Sequence, residues 1–143
     1  MNVAMVLAQK GREVATVSPQ ALLADAIQDL AARKIGALVV VEGSNRIVGI
    51  VSERDIVRVL AKNGTEVLDQ PIDTVMTRDV VTCGEHDTIN SVMTRMTRGR
   101  FRHLPVVSSG RLAGIVSIGD VVKARIEEVE READEMRSYI ATA

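Results

Sequence analysis

The phrase GIVSERDIV, Gly49 to Val57, returns later in the chain as GIVSIGDVV, Gly114 to Val122. Each copy sets an aspartate three residues after a serine, Ser52 with Asp55 and Ser117 with Asp120. That is the spacing of a capping box, in which the serine oxygen accepts a backbone N–H from the first helical turn and an acidic side chain reaches back to the serine N–H. The same spacing could also bind. A helix N-terminus presents unpaired N–H groups and a partial positive charge to an anion, and a carboxylate there can accept two hydrogen bonds from a ribose diol. The residues alone leave both readings open. Between serine and aspartate the copies differ, with Glu53 and Arg54 in one and Ile118 and Gly119 in the other, so sites built on them would be unequal in charge.

The elements that must position these pairs repeat as well. Val14 and Thr16 align with Val80 and Thr82, the pair Val40 and Val41 with Val106 and Val107, and GIVS with its copy. Two repeats are too few for a solenoid, which needs at least about three, and suggest two similar units packed on each other. Each unit reads as a short β-prone segment (VATV; VVTC), a turn, an amphipathic helix, a buried strand (ALVVVE; LPVVSS), a second strand (IVGIVS; LAGIVS) and a closing helix that starts at the serine. The helix stripes are Leu23, Ile27 and Leu30 in the first unit and Ile89, Val92, Met93 and Met96 in the second. The short glycine-containing turn between the two later strands predicts a hairpin. The expected fold class is mixed α and β (α/β, of the α+β kind), each unit β-α-β-β-α. The expected divisions are residues 1–65 for the first unit with an N-terminal segment, 66–128 for the second unit with its linker, and 129–143 for a helical extension.

In that extension Val122, Ile126, Val129, Ala133, Met136 and Ile140 fall at steps of three and four, a helical seam, with Lys123 to Glu127 and Arg131 to Glu135 as flanking ion pairs one turn apart. So short a seam is marginal alone and is expected to pack on the body or on a second copy.

Composition narrows the function. Eighteen basic residues against nineteen acidic ones, a net charge of −1, argue against a protein driven onto nucleic acid by bulk charge. Aromatics are only 1%, a shortage of the platforms on which unspecific single-strand binding usually relies. The run Arg95 to His103 holds four arginines in nine residues. It fits a helix end or a phosphate-facing cluster better than a nucleic-acid patch. The single Cys83 lies in an apolar segment, where a thiol is usually inert, and suits a reducing compartment. No metal is expected, because neither His86 nor His103 has a partner at ligand spacing. No nucleophile, base and orienting group can be assembled, so no enzyme is expected. No apolar run is long enough for a membrane span, and a cytoplasmic location is the default.

The doubled pattern of strand, helix, hydrophobic strand, G-I-V-S-x-x-D strand and closing helix resembles the cystathionine-beta-synthase (CBS) domain pair, or Bateman module, from about Val3 to about Glu128. One departure is Val39, where the family often has the proline found here at Pro105. The resemblance implies two units related by a pseudo-two-fold axis. It also implies an adenosine-type ligand (AMP, ADP, ATP, S-adenosylmethionine or a dinucleotide) held in clefts between them, AMP being the first expectation and ATP or NAD the alternatives. It further gives Asp55 and Asp120 the ribose and puts Ser52 and Ser117 near phosphate, with each site completed by the other unit.

The Asp55 site would then gather Ser52, Arg54, Thr77, Arg78, Arg102 and His103, and the Asp120 site Ser117, Gly36, Ala37 and Lys34 as its one cation. Ile50 and Ile115 are candidates for the adenine face or for ordinary sheet core. On this reading the Asp55 site takes the phosphorylated ligand more tightly. An unperturbed His103 would make that affinity rise as pH falls. The resemblance also implies a disc-like homodimer and a regulatory effect exerted on an unidentified partner protein. The competing readings are an NAD(H) sensor and a nucleic-acid regulator using the Arg95 to Arg102 face.

Overall fold

The computed structural model describes residues 1–142. Its elements are α1 (Val3–Lys10), β1 (Thr16–Val17), α2 (Leu23–Arg33), β2 (Ala37–Glu42), β3 (Arg46–Ser52), α3 (Glu53–Asn63), α4 (Ile89–Gly99), β4 (His103–Ser108), β5 (Arg111–Ser117) and α5 (Ile118–Thr142), with two 3-10 turns, Thr65–Asp69 and Ile72–Thr74, in the linker.

The repeat is built twice with the same register. β2 and β3 pair antiparallel with Ala37 opposite Ser52, Val39 opposite Ile50 and a bulge at Val40/Val41. β4 and β5 pair with His103 opposite Ser117, Pro105 opposite Ile115 and a bulge at Val106/Val107. Register of this kind is fixed by the alternating burial of β3 and β5, because a slip of one residue would move Val51 and Val116 to the opposite face. α2 buries Leu23, Ala26 and Leu30, and α4 buries Ile89, Val92 and Met96, the stripes expected from the sequence with Ile27 and Met93 at their margins. Both helices end on a left-handed residue that is not glycine, Lys34 and Arg100, each at φ 55°.

The leading strands are weaker than their sequence predicts. β1 has two residues, running parallel to β2 with Thr16 beside Val39. In the second unit VVTC is reduced to a single parallel bridge from Cys83 to Val106, held by the Cys83 N–H to the Pro105 carbonyl (3.0 Å) and the Val107 N–H to the Cys83 carbonyl (2.8 Å).

The two cores do not follow chain order. The second unit's core takes in Val3, Val6 and Leu7 of α1 with Ile89, Val92, Leu104 and Val116, while the linker residues Val67, Ile72 and Met76 join the first unit's core with Leu23, Leu38 and Val51. A division at 65/66 therefore separates the repeats but not the cores. The close approach needs glycine. A Cβ at Gly114 would lie 2.8 Å from Leu7 Cδ2, and one at Gly49 would collide with Met76, 2.8 Å from its Cγ. The two glycines are the same position of the repeat, each admitting a side chain from a segment that precedes the unit's first strand or follows its last helix.

α5 continues far past the second unit. Only Val121 and Ala124 are buried along it. The seam positions Val122, Ile126, Val129, Met136 and Ile140 face solvent, so the seam does not pack on the body. Of the two flanking ion pairs expected, Arg131 to Glu135 forms at 3.9 Å, and Lys123 to Glu127 does not.

Overpacking a filled core typically costs about 1–3 kcal/mol. Gly114→Val is expected to lose about that much in urea unfolding, and to lose clearly less when introduced into Leu7→Ala, because the two changes share one space. Strict additivity of the pair would show that α1 does not pack on β5.

Candidate functional site

The cap is realised in both units. Asp55 N–H donates to Ser52 Oγ (3.2 Å), while Ser52 N–H (3.2 Å) and Ser52 Oγ–H (2.9 Å) donate to Asp55 Oδ2. Asp120 N–H donates to Ser117 Oγ (3.2 Å) and Ser117 N–H to Asp120 Oδ2 (2.9 Å). The first N–H of each helix is also taken across the hairpin, Glu53 N–H by the Gly36 carbonyl (2.9 Å) and Ile118 N–H by the Arg102 carbonyl (2.8 Å). Helix capping and ligand binding are not exclusive here. Both reciprocal bonds of Asp55 end on Oδ2, and Oδ1 accepts none among the described residues.

Asp55 stands on a cleft of about 250 Å³ between the units. Of the residues expected around it, Ile50, Ser52, Arg54, Thr77, Arg102 and His103 line the cleft. Thr77 arrives by a route the sequence does not suggest. It pairs with Ile50 at the edge of β3, through Ile50 N–H to the Thr77 carbonyl (3.0 Å) and Thr77 N–H to the Ile50 carbonyl (2.9 Å), and so belongs to the first unit's sheet. Arg78 is not in the cleft; its guanidinium donates to the Asp73 carbonyl (2.8 Å), because the chain turns directly after Thr77. Gly36, expected at the Asp120 site, instead lines this first cleft, where a Cβ would lie 3.1 Å from His103 Cε1.

Further residues complete the cleft. Arg58, one turn after Arg54 on α3, was legible from its four-residue spacing. Arg100, Phe101, Asp79, Val80 and Val81 enter through loops, where no periodic pattern marks them. Four arginines (Arg54, Arg58, Arg100, Arg102) thus face three carboxylates (Glu53, Asp55, Asp79), with an apolar wall of Ile50, Val80, Val81 and Phe101. Arg54 Nη1 also donates to the Arg100 carbonyl (3.3 Å), a bond between the units. Arg95 is absorbed structurally by the Thr82 carbonyl (3.1 Å) and Asp87 (3.0 Å). The basic run is therefore divided between holding its own unit together and lining the cleft.

The Asp120 side is arranged differently. Lys10, the last residue of α1, puts Nζ 2.7 Å from Asp120 Oδ2 and 2.9 Å from the Ile115 carbonyl. A wider cleft beside it is lined by Lys10, Glu13, Arg33, Ala37, His103 and Ile115. Ala37 and Ile115 line this cleft, while Ser117 and Asp120, on which the expected site was built, are not part of its wall. Lys34 does not line it either: it ends α2 and faces a separate groove with Glu53 and Ile56, and the cations of this side are Lys10 and Arg33, of which Lys10 meets Asp120.

His103 is a wall of both clefts. Burial holds its pKa below the ordinary imidazole value; Glu53 and Asp120 pull it up while Lys10 and Arg102 push it down. Burial also raises the Asp120 carboxyl, but the Lys10 ammonium and Ser117 outweigh it and leave the group below the usual carboxylate range. The Cys83 thiol is pushed up to about 11 by burial and by Asp87, as an inert core cysteine should be. Among the described residues no three His, Cys, Asp or Glu side chains gather as a metal site, and no helix is long and apolar enough to cross a membrane.

This doubled architecture has solved counterparts. A CBS-domain-containing protein from Agrobacterium tumefaciens is 47% identical, with a TM-score of 0.85 over 87% of this chain and 99% of that one. The CBS domain pair of protein MJ0100, solved with 5′-methylthioadenosine and S-adenosyl-L-methionine, is 26% identical, with a TM-score of 0.79 over 90% of this chain and 98% of that one. A CBS domain protein from Pyrobaculum aerophilum complexed with AMP is 28% identical, with a TM-score of 0.73 over 84% of this chain and 89% of that one. Among curated proteins, the chain spans 76%, 58% and 39% of the length of the first three relatives it matches. The CBS domain model matches residues 11–62 and 72–127. The repeat in the sequence, the repeat in the fold and this double match agree: the chain belongs to the CBS-domain family, as a tandem pair.

Proposed function

We propose that the chain is a regulatory module that binds an adenine mononucleotide of the AMP class in the first cleft and signals its occupancy to a partner protein in the cytoplasm. The observation that carries this reading is the meeting, in one cleft, of a capped carboxylate with a free oxygen, four arginines and an apolar wall. Asp55 Oδ1 accepts the ribose hydroxyls, Arg54, Arg100 and Arg102 hold phosphate, and the base lies against Ile50, Val81 and Phe101. The complexes of the two relatives with adenosine compounds support the ligand class. Pockets for drug-sized ligands run from about 300 Å³ upward, so about 250 Å³ favours a mononucleotide over NAD. Nucleic acid is disfavoured, because Arg95 is already committed within its own unit.

The signal follows from differential binding. Arg54 bridges the units through the Arg100 carbonyl, and phosphate competes for the same guanidinium. Occupancy therefore exchanges an inter-unit bond for a ligand bond and biases their relative orientation. The exposed α5 seam pairs with that of a second copy, giving a homodimer that carries the change outward.

A hydrogen bond to a charged group is worth about 1.5–3 kcal/mol. Calorimetric titration with AMP, ATP, NAD and S-adenosylmethionine is expected to show AMP binding best and Asp55→Ala weakening it about ten- to a hundredfold. Absence of binding by every adenosine compound at millimolar concentration would sink the proposal.

His103 gives a second test. With its pKa depressed by burial, the unfolded chain binds more protons near pH 6, so the apo protein loses stability as pH falls through the ordinary imidazole value of about 6.5. A bound phosphate raises that pKa, so binding takes up a proton and tightens over the same range. Titration in buffers of different ionisation enthalpy should show the uptake, and His103→Gln should abolish both effects.

For the dimer, a chain ending at Glu128 should keep AMP affinity but elute with half the mass by light scattering. An unchanged mass would place the contact elsewhere.

A further inference from the structure

The two units satisfy the same backbone oxygen in different ways. In the first, the Ile50 carbonyl accepts the backbone N–H of Thr77 (2.9 Å), and no cation pairs with Asp55 among the described residues. In the second, the equivalent Ile115 carbonyl accepts Lys10 Nζ (2.9 Å), and the same ammonium reaches Asp120 Oδ2 (2.7 Å). One lysine side chain thus replaces a strand pairing and neutralises the carboxylate as well.

Lys10 is delivered by an anchored element. Val3, Val6 and Leu7 are buried in the second core, the N–H groups of Val3 and Ala4 donate to the carbonyls of Asp87 (3.0 Å) and Glu85 (2.9 Å), and Gly11 N–H closes the helix on Leu7 (2.8 Å). An ion pair between two freely moving surface side chains is worth little, because ordering both offsets the attraction. Here the helix has already placed the lysine stem, and each partner side chain is less than a third exposed, 31% for Lys10 and 24% for Asp120.

We infer that Lys10 is a latch on the second cleft: its ammonium bridges Asp120 Oδ2, the oxygen that also accepts the Ser117 N–H, and the Ile115 carbonyl, and by neutralising and screening the carboxylate it keeps a diol-bearing ligand out, so that each chain binds one nucleotide until α1 is displaced. This rests on reading the first cleft as the nucleotide site. The second cleft, about 630 Å³, has Lys10, Ala37, His103 and Ile115 in its wall but neither Ser117 nor Asp120, as expected of a carboxylate screened from the cleft by the lysine. Displacing α1 would release the lysine and expose the core face that Leu7 covers on Gly114, which couples the opening of the second cleft to a change in the second unit's packing.

The test is AMP titration of the wild type and of Lys10→Met, which keeps most of the stem and removes the charge. The expected stoichiometry is one AMP per chain for the wild type and two for Lys10→Met, the added site disappearing in Lys10→Met/Asp120→Ala. Two sites in the wild type, or one in a folded Lys10→Met, would overturn the latch while leaving the first-cleft reading intact; no binding by either protein would remove the nucleotide reading and the latch with it. A ligand-free measurement stands beside it. Acetylation of the native wild type, read by mass spectrometry, should label Lys10 several-fold more slowly than the exposed Lys62 and Lys123. Equal rates would overturn the latch whatever the titration gives.

Discussion

The reciprocal bond between a serine and an aspartate at the junction of strand and helix is the constraint on which the rest of the structure rests. It ends β3 at Ser52 and β5 at Ser117 and starts α3 and α5 in the next residue. Because Ala37 and His103 stand opposite those serines in the hairpins, the cap also sets what the neighbouring strand presents at the cleft. A cap needs only one oxygen of the carboxylate, and the same geometry therefore leaves the other available at a helix N-terminus, where an anionic ligand is already favoured. The cap does not use the lone pairs of the second oxygen.

Exchange of segments makes the pair a single body. α1 fills the second unit's core and the linker fills the first, so neither repeat closes its core from its own residues. Gly49 and Gly114 are the points where this exchange is tightest, and both lie one residue before the isoleucine that faces a cleft. Packing that completes a core is therefore adjacent to the surface that meets ligand. A small displacement at one has to be felt at the other, since close-packed interiors do not deform continuously.

Asymmetry between the clefts is where the repeat departs from itself. Histidine stands at 103 where the first unit has alanine at 37, a backbone N–H meets one isoleucine carbonyl where an ammonium meets the other, and His103 itself borders both clefts. The symmetric parts hold the fold, and the asymmetric ones decide charge. That division gives the two clefts different electrostatics on one repeated scaffold.

Much of this was legible in the residues. The doubled GIVS phrase, the helix stripes at Leu23 and Ile89 and the valine-rich strands determined a tandem mixed fold with capped helices, because burial period and cap chemistry are local properties of the chain. The resemblance to the CBS pair, not the spacing, grouped Arg54, Arg102 and His103 with Asp55, and all three line one cleft with it. Other features could not be read in sequence order. Lys10 in place of Lys34, Gly36 on the first cleft, Arg78 turned out to Asp73 and the entry of Phe101 and Arg100 depend on contacts between residues far apart in the chain or on loop conformation. The sequence by itself determined the repeat, its elements and their caps. Only the tertiary structure decided which charges share a cleft, because the exchange of α1 and the linker between the cores, and not distance along the chain, brings them together.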